Sequence, residues 1–433
     1  YDIVDPDDQR EDAKTFRVLN QPVARWARAL IEEDRPTIAS MLSEYDYNSA
    51  AIGKWHLGWT WLDADGEPVN GRPSPSGLNN NQRAAIAQRI DFTQPIEGGP
   101  LAHGFDAYFG DDVPNFPPYT FIEDEHVVAQ PTETKPGNMF GHAGPMSPGW
   151  MLADVMPTIT QRSVDYLATR GKDDSADEPF LLFMTLTAPH TPIVPADAFG
   201  GISDAGRYGD FVAQVDATVG AVMQALDDAG LDDNTIVIFT SDNGSPARNG
   251  NNDSGPVGSV VTQFGHHVSG PYRGLKSDAW EGGHRVPMVV RWPGEVEAGV
   301  VNEQPVCLVD WYATLAELHG VVLADDLGED SFSLLNTLRN EDAAPPRDHL
   351  IHHSGNGTFA IRQGDWKLIV GNLGSGGFSR PNRVRPEPGG PQGQLYRLGD
   401  DPGETTNVWA DHPDVVEELT ALLDRYRAAG RSR

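Results

Sequence analysis

The chain has 433 residues, 63 Asp plus Glu against 32 Lys plus Arg, a formal net charge of −31, and 46 glycines, 34 prolines and one cysteine. Its length predicts two or three domains. Its acidity argues against general binding to nucleic acid or anionic membrane, where the phosphate interaction would be repulsive. The lone Cys307 excludes an internal disulfide. No apolar run approaches the eighteen or so residues of a membrane span. The stretch Tyr1–Arg17 is polar and acidic, without the regions of an export leader, so that either the protein is not exported or its true N-terminus lies upstream.

In chain order, Arg35–Tyr45 predicts a helix that leads into an apolar strand at Ser49–Ile52 and then GKWHLG. Residues 60–150 are rich in Gly, Pro and Asn with little periodicity, which predicts long loops over a core. FLLFMTLT at Phe180–Thr187 reads as a buried strand running into a loop at Ala188-Pro189-His190. Val212, Val215, Val219, Val222 and Leu226 then mark a helix, with Gly230 as its C-terminal cap. TIVIFT at Thr235–Thr240 follows and ends in Ser241-Asp242-Asn243-Gly244. Strand, helix, strand implies a right-handed crossover and a mostly parallel sheet between helices, with chemistry at the carboxyl ends of the strands. After Glu341 come short strands at Leu350–His353, Thr358–Arg362, Trp366–Val370 and Gln394–Leu398 and a helix at Asp414–Ala428, a small antiparallel sheet with one helix. The fold class is therefore α/β with two domains, residues 1–335 and 336–433.

Several residue groups carry chemistry. Lys54 and His56, two apart after a strand, point the same way between Gly53 and Gly58; a solvated edge-strand pair is the alternative. Pro189 and Pro192 stiffen the loop of His190, which suits a positioned acid or base as well as a turn cap. Asp242 and Asn243 are hard oxygen ligands suited to Ca²⁺ or Mg²⁺, or else an Asn-Gly turn. Arg273, Lys276, His284 and Arg285 concentrate positive charge, as an anionic ester would need or a salt-bridged hairpin would show.

Together GKWHLG, TAPHTP, SDNG and RGLKSDAWEGGHRVPMVVRWPG follow the order and rough spacing of the formylglycine-dependent sulfatases, within the alkaline-phosphatase-like superfamily. LVDWYATLAELHG, FAIRQGDWKLIV, QLYRLGDDPGETTNVWADHP and the closing GRS extend the resemblance over nearly the whole chain. It implies a sulfuric ester hydrolase whose formylglycine, made by a maturation machinery, attacks sulfur while one divalent cation, usually Ca²⁺, and lysines hold the developing charge. By match, Asp242 and Asn243 are metal ligands. Lys54 holds the formylglycine and sulfate oxygens, His56 is the base that expels sulfate, His190 protonates the leaving alcohol, and Lys276 binds a sulfate oxygen. The family also implies a periplasmic or secreted protein.

The family places an apolar strand with paired aspartates and then Cys/Ser-x-Pro-x-Arg ahead of the GKWHLG region. Asp7-Asp8 follows no apolar strand, and Cys307, in PVCLVDW, reads as a buried structural thiol. Ser379-Arg380-Pro381-Asn382-Arg383 matches literally but lies in a C-terminal loop, which reads instead as an arginine loop reaching toward an anionic substrate. The expectation is therefore a fragment lacking the nucleophile segment and inactive as given. IDFTQPIEGGPLAHGFDAYFG and VPNFPPYTFIE resemble bacterial carbohydrate sulfatases, which implies a sulfated poly- or oligosaccharide substrate. Trp59, Trp61, Phe116 and Tyr119 are either sugar-stacking or core residues, and His266, His267 and His353 are candidate substrate contacts. The alternatives are a phosphate or phosphonate monoester hydrolase and a non-catalytic sulfated-glycan-binding remnant.

Overall fold

The computed structural model describes residue 26 and residues 28–32, 34–70, 80–171, 178–340 and 343–433. Contacts divide the chain into two compact units. The first is formed by residues 21–232 with 248–266, and the second contains residues 233–247 and 267–433.

The first unit is built on a five-stranded sheet in the order β4-β3-β2-β1-β7, where β1 is Asn48–Lys54, β2 Ala107–Asp111, β3 Ile122–Glu123, β4 His126–Val127 and β7 Phe180–Thr185. β1 runs parallel to both β2 and β7, and β2, β3 and β4 continue antiparallel. A short ribbon, β5 (Glu133–Thr134) with β6 (Pro145–Met146), lies apart from the sheet. Both faces of β1 are covered, as a central parallel strand requires. Ala50 and Ile52 pack with Val155 and Ile159, whereas Ala51 joins a cluster with Trp55, Trp59, Trp61 and Tyr108 on the opposite face.

The helices of this unit are α1 (Ile38–Ser43), α2 (Asn80–Arg89), α3 (Val155–Arg170), α4 (Gly206–Asp228) and α5 (Ser259–Phe264). Thr37 caps α1 in a reciprocal capping box with Ser40. α3 buries Val155, Ile159 and Leu167 on one stripe. α4 ends as the sequence predicts. Gly230 has φ +69°, its N–H bonds the Asp227 carbonyl, and the Leu231 N–H reaches back to Leu226, which closes a Schellman cap.

The second unit holds β8 (Val237–Thr240) and β9 (Met288–Arg291), paired antiparallel, and the helices α6 (Glu281–His284), α7 (Asp310–Leu318) and α8 (Leu335–Arg339). A four-stranded antiparallel sheet follows, from β10 (His349–His353), β11 (Phe359–Gln363), β12 (Trp366–Val370) and β13 (Gly393–Arg397), with α9 (Pro413–Ala429). Ile361, Leu368 and Leu395 pack with Leu419, Leu422 and Leu423 of α9, while their neighbours Ala360, Ile369 and Tyr396 pack with Ala279 and Trp280. This period of two matches the predicted C-terminal strands to within a residue. The expected strand–helix–strand crossover differs in its last step: among the described residues β8 bonds β9 antiparallel and no strand of the five-stranded sheet. Hydrophobic pattern sets a strand's faces but does not choose which edge it meets. None of the described helices is long and apolar enough to cross a membrane.

Candidate functional site

In the first unit the carboxyl ends of β1 and β2 lie side by side, with Lys54 in register with Asp111 and both at the strand ends. β1 is squeezed between its neighbours. Gly53 has φ +128°, a Cβ there would sit 2.0 Å from the Thr185 carbonyl oxygen, and one on Gly110 would sit 1.7 Å from the Gly53 carbonyl oxygen. The turn beyond β1 is held by the Trp55 N–H on the Asp111 carbonyl (3.0 Å) and the Trp55 indole on the Gly58 carbonyl (3.2 Å). His56 takes φ +54°, and its ring stands edge-on to Phe116 at 5.9 Å.

Asp111 and the next residue, Asp112, are 2% and 8% exposed. Neither Asp111 oxygen has a hydrogen-bond partner among the described residues. Burial, with the charge of Asp112 second, pushes the Asp111 carboxyl up to about 7, and Lys54 pulls in the other direction. Burial raises Asp112 to about 6 against the Trp59 indole, the Lys54 charge and the His56 main chain, which draw it down. His190 follows β7. Its N–H bonds the Thr187 carbonyl (3.1 Å), and its Nδ1 lies 2.6 Å from the Thr191 carbonyl. A carbonyl only accepts, so Nδ1 carries the proton of the neutral ring and Nε2 is its basic nitrogen.

In the second unit Asp242 and Asn243 follow β8 on a loop bonded to two others. The Gly244 N–H reaches the Gly283 carbonyl (3.0 Å), and the Lys276 N–H reaches the Ser245 carbonyl (3.2 Å). A Cβ on Gly244 would lie 1.9 Å from the Gly282 carbonyl oxygen, so glycine is required for that approach. Asp242 is exposed, and Asn243 turns its amide nitrogen to the Gly244 carbonyl (3.3 Å), which leaves the amide oxygen as its acceptor atom. Two such oxygens fit a hard cation but supply only part of its six to eight ligands. Among the described residues no group of three or more His, Cys, Asp or Glu is placed to hold a metal ion.

His353 ends β10, with Nδ1 3.0 Å from the Ser354 carbonyl, and Gly355 donates to the Ser277 carbonyl (2.8 Å), next to Lys276. His267 is exposed on a turn, its carbonyl accepting from Gly270, and is not drawn into these bonded loops; His266 is exposed too. The cationic cluster around Lys276 is largely structural. Arg273 stacks on Trp280 at 3.6 Å and donates to the Glu404 carbonyl (2.7 Å). Arg285 stacks on Tyr272 and pairs with Glu281. His284 faces His352 at 4.2 Å, and burial, then the Lys367 charge, lowers its pKa to about 4.

Trp59, Trp61 and Tyr119 are buried core residues. Phe116 is half-buried against His56 and His142. Cys307 is half-buried with its thiol pushed up by burial, and Ser379 sits in the loop between β12 and β13. Asp7-Asp8 lies outside the described residues. Sequence reasoning missed Asp111 and Asp112. The available signal was the apolar run AYF just before this Asp pair, concealed in a stretch that reads as loop.

A family model described as Sulfatase matches residues 12–321, more than half of the chain. The chain belongs to the sulfatase family. An N-acetylgalactosamine-6-O-sulfatase of Bacteroides thetaiotaomicron is 33% identical over 416 residues, covering 90% of this chain and 76% of that protein. The N-acetylgalactosamine-6-sulfatase of Mus musculus is 28% identical over 76% of this chain, which spans only 53% of its length. Among solved structures, a 6S-sulfatase of Bacteroides thetaiotaomicron, described with that organism's metabolism of multiple glycosaminoglycans, aligns with a TM-score of 0.73 at 28% identity, over 95% of this chain and 86% of its own. This sulfatase thus shares the alkaline-phosphatase-like fold of bacterial carbohydrate sulfatases. The family in general implies a metal ion and a formylglycine.

Proposed function

We propose that this sulfatase hydrolyses sulfate esters of a sulfated poly- or oligosaccharide in the periplasm or outside the cell, and that residues 336–433 form its C-terminal subdomain. The observation that supports it most is the main-chain bond from Lys276 to Ser245, which fixes a cationic side chain's loop beside the Asp242–Asn243 loop at the end of β8. Asp242 and Asn243 would supply oxygen ligands to Ca²⁺. When bound, that cation supplies positive charge to a sulfate oxygen, and a formylglycine supplies the attacking oxygen.

Lys276 would hold a sulfate oxygen and take up the charge that develops on it, and the match of Lys54 to GKWHLG supports the same role for that residue. The Thr191 carbonyl fixes the His190 tautomer, so that once protonated at Nε2 the ring delivers that proton to the leaving alcohol. His56 accepts the proton released when sulfate leaves. His353 and His267 are proposed substrate contacts.

The test is hydrolysis of an aryl sulfate and the matching aryl phosphate by the protein encoded by the complete gene, with calorimetry of inorganic sulfate in parallel. Preference for the sulfate ester, loss on chelation, recovery with Ca²⁺ and weaker sulfate binding in Lys276→Ala are expected. A preference for phosphate, or sulfate binding untouched by Lys276→Ala, overturns the proposal.

A further inference from the structure

The segment joining β12 to β13 carries Arg380, Arg383 and Arg385, all exposed, with no ion pair among the described residues. The loop beneath them is closely tied. The buried side chain of Asn372 accepts from the N–H groups of Gly374 (2.9 Å) and Val384 (3.0 Å) and donates to the Asn382 carbonyl (3.0 Å). The hydroxyl of Ser375, fully buried, donates to the Ser379 carbonyl (2.7 Å) and accepts from Gly377 (3.1 Å). Main-chain bonds from Gly376 to Asn382 and from Leu373 to Val384, both 2.9 Å, close the platform.

The platform is fastened to the stretch just after Lys276. Ala279 donates to the Ser375 carbonyl (2.7 Å), and Ser379 donates to Asp278 Oδ1 (3.0 Å). A Cβ on Gly377 would lie 2.2 Å from the Ser277 carbonyl carbon and oxygen, so the two backbones touch. Three guanidinium groups within six residues repel one another unless an anion joins them. In a protein of net charge −31 they form a local inversion of sign held beside Lys276.

We propose that Arg380, Arg383 and Arg385 form a subsite for a second anionic group of the glycan, a carboxylate or sulfate on a sugar adjoining the one whose sulfate Lys276 holds. This rests on the sulfatase reading above and extends it from one sulfate to a polyanionic chain. Guanidinium suits both ligands because its planar fork matches two oxygens of either group.

The test compares the protein encoded by the complete gene, as parent, with the triple variant R380A/R383A/R385A, and with the triple lysine variant, on four substrates. These are an aryl sulfate and three monosulfated oligosaccharides whose neighbouring sugar is neutral, carries a uronate, or carries an additional sulfate. The platform's hydrogen bonds use main-chain atoms and the side chains of Asn372, Ser375 and Asp278, so the fold is left intact. The expected result is kcat/KM unchanged on the aryl sulfate and neutral oligosaccharide and lowered about tenfold on the charged ones, through KM, with partial rescue by lysine and a shallower salt dependence. Loss on the uronate arm alone or the sulfate arm alone identifies which anion is read. An equal effect on all four substrates, or none on either charged arm, overturns the subsite. A parent inactive on every sulfate ester overturns the sulfatase reading instead, and calorimetry of a non-sulfated uronate oligosaccharide then decides the subsite alone.

Discussion

Asp111 gives the most searching physical test of this structure. Its carboxyl is 2% exposed, neither oxygen has a hydrogen-bond partner among the described residues, and its pKa stands at about 7 because burial outweighs the attraction of Lys54. In the unfolded chain the same group titrates near 3.8. The folded state therefore binds this proton more tightly, and the contribution is fully present below the unfolded pKa and lost as pH rises through the folded one. A rise of about three units corresponds to about 4 kcal/mol in all, of which about 2–3 kcal/mol falls between pH 5 and pH 8. Asp112, raised to about 6 in the same field, is coupled to it, so the two are not additive.

Asp111→Asn keeps the shape and removes the titration. Urea unfolding followed by tryptophan fluorescence reports directly, because Trp55 and Trp59 belong to the cluster beside this strand end. The variant should equal or trail the parent at pH 5 and exceed it by about 2 kcal/mol at pH 8, a midpoint shift on the order of 1 M. The difference between the two proteins is the readout, since other carboxylates titrate equally in both. A variant less stable than the parent at pH 8 would show that Asp111 is ionised and compensated there, and the reasoning would be refuted.

Two further outcomes follow from packing. Lys367 is fully buried between Glu281 (2.9 Å) and Glu404 (3.0 Å), so Lys367→Met leaves Glu404 without its cation and Glu281 with only the longer contacts to Arg285 (3.6 Å) and Arg362 (3.9 Å); a loss of about 3–5 kcal/mol in urea unfolding is expected, and a neutral effect would show that Lys367 and Glu404 are not paired as charges. Gly53→Ala drives a Cβ into the Thr185 carbonyl and should abolish soluble expression, whereas Gly220→Ala, in an open position on α4, should stabilise by about 0.5–1 kcal/mol in thermal unfolding; equal behaviour of the two would contradict the strand spacing described here.

The C-terminal sheet was legible because its information is local. Each strand alternates between the face against α9 and the face against Ala279 and Trp280, and a period of two is visible without knowing the partner strand. The turn after α4 was legible for the same reason, as one glycine stands where a left-handed residue is needed. β2 was not legible. Its five residues, AYFGD, are buried almost throughout, so no alternation marks them, and they lie in a stretch dominated by turn residues. Asp111 and Asp112 therefore read as loop acids, and their desolvation became visible only with Lys54 in register across from them.

Charge shows the limit most clearly. The density of Arg273, Lys276, His284 and Arg285 suggests an anion pocket, and the SRPNR loop is the weaker candidate by sequence alone. Distant partners reverse that order. Arg273 is taken by Trp280 and by the carbonyl of Glu404, 131 residues away, Arg285 by Tyr272 and Glu281, and His284 is kept neutral by burial. Those cations are spent on holding the loops around Lys276 in place. Arg380, Arg383 and Arg385 have backbones fixed by the same loops and side chains left outside them. A cation serves structure when a distant aromatic or carboxylate meets it and recognition when none does, and sequence gives the charges but not those meetings.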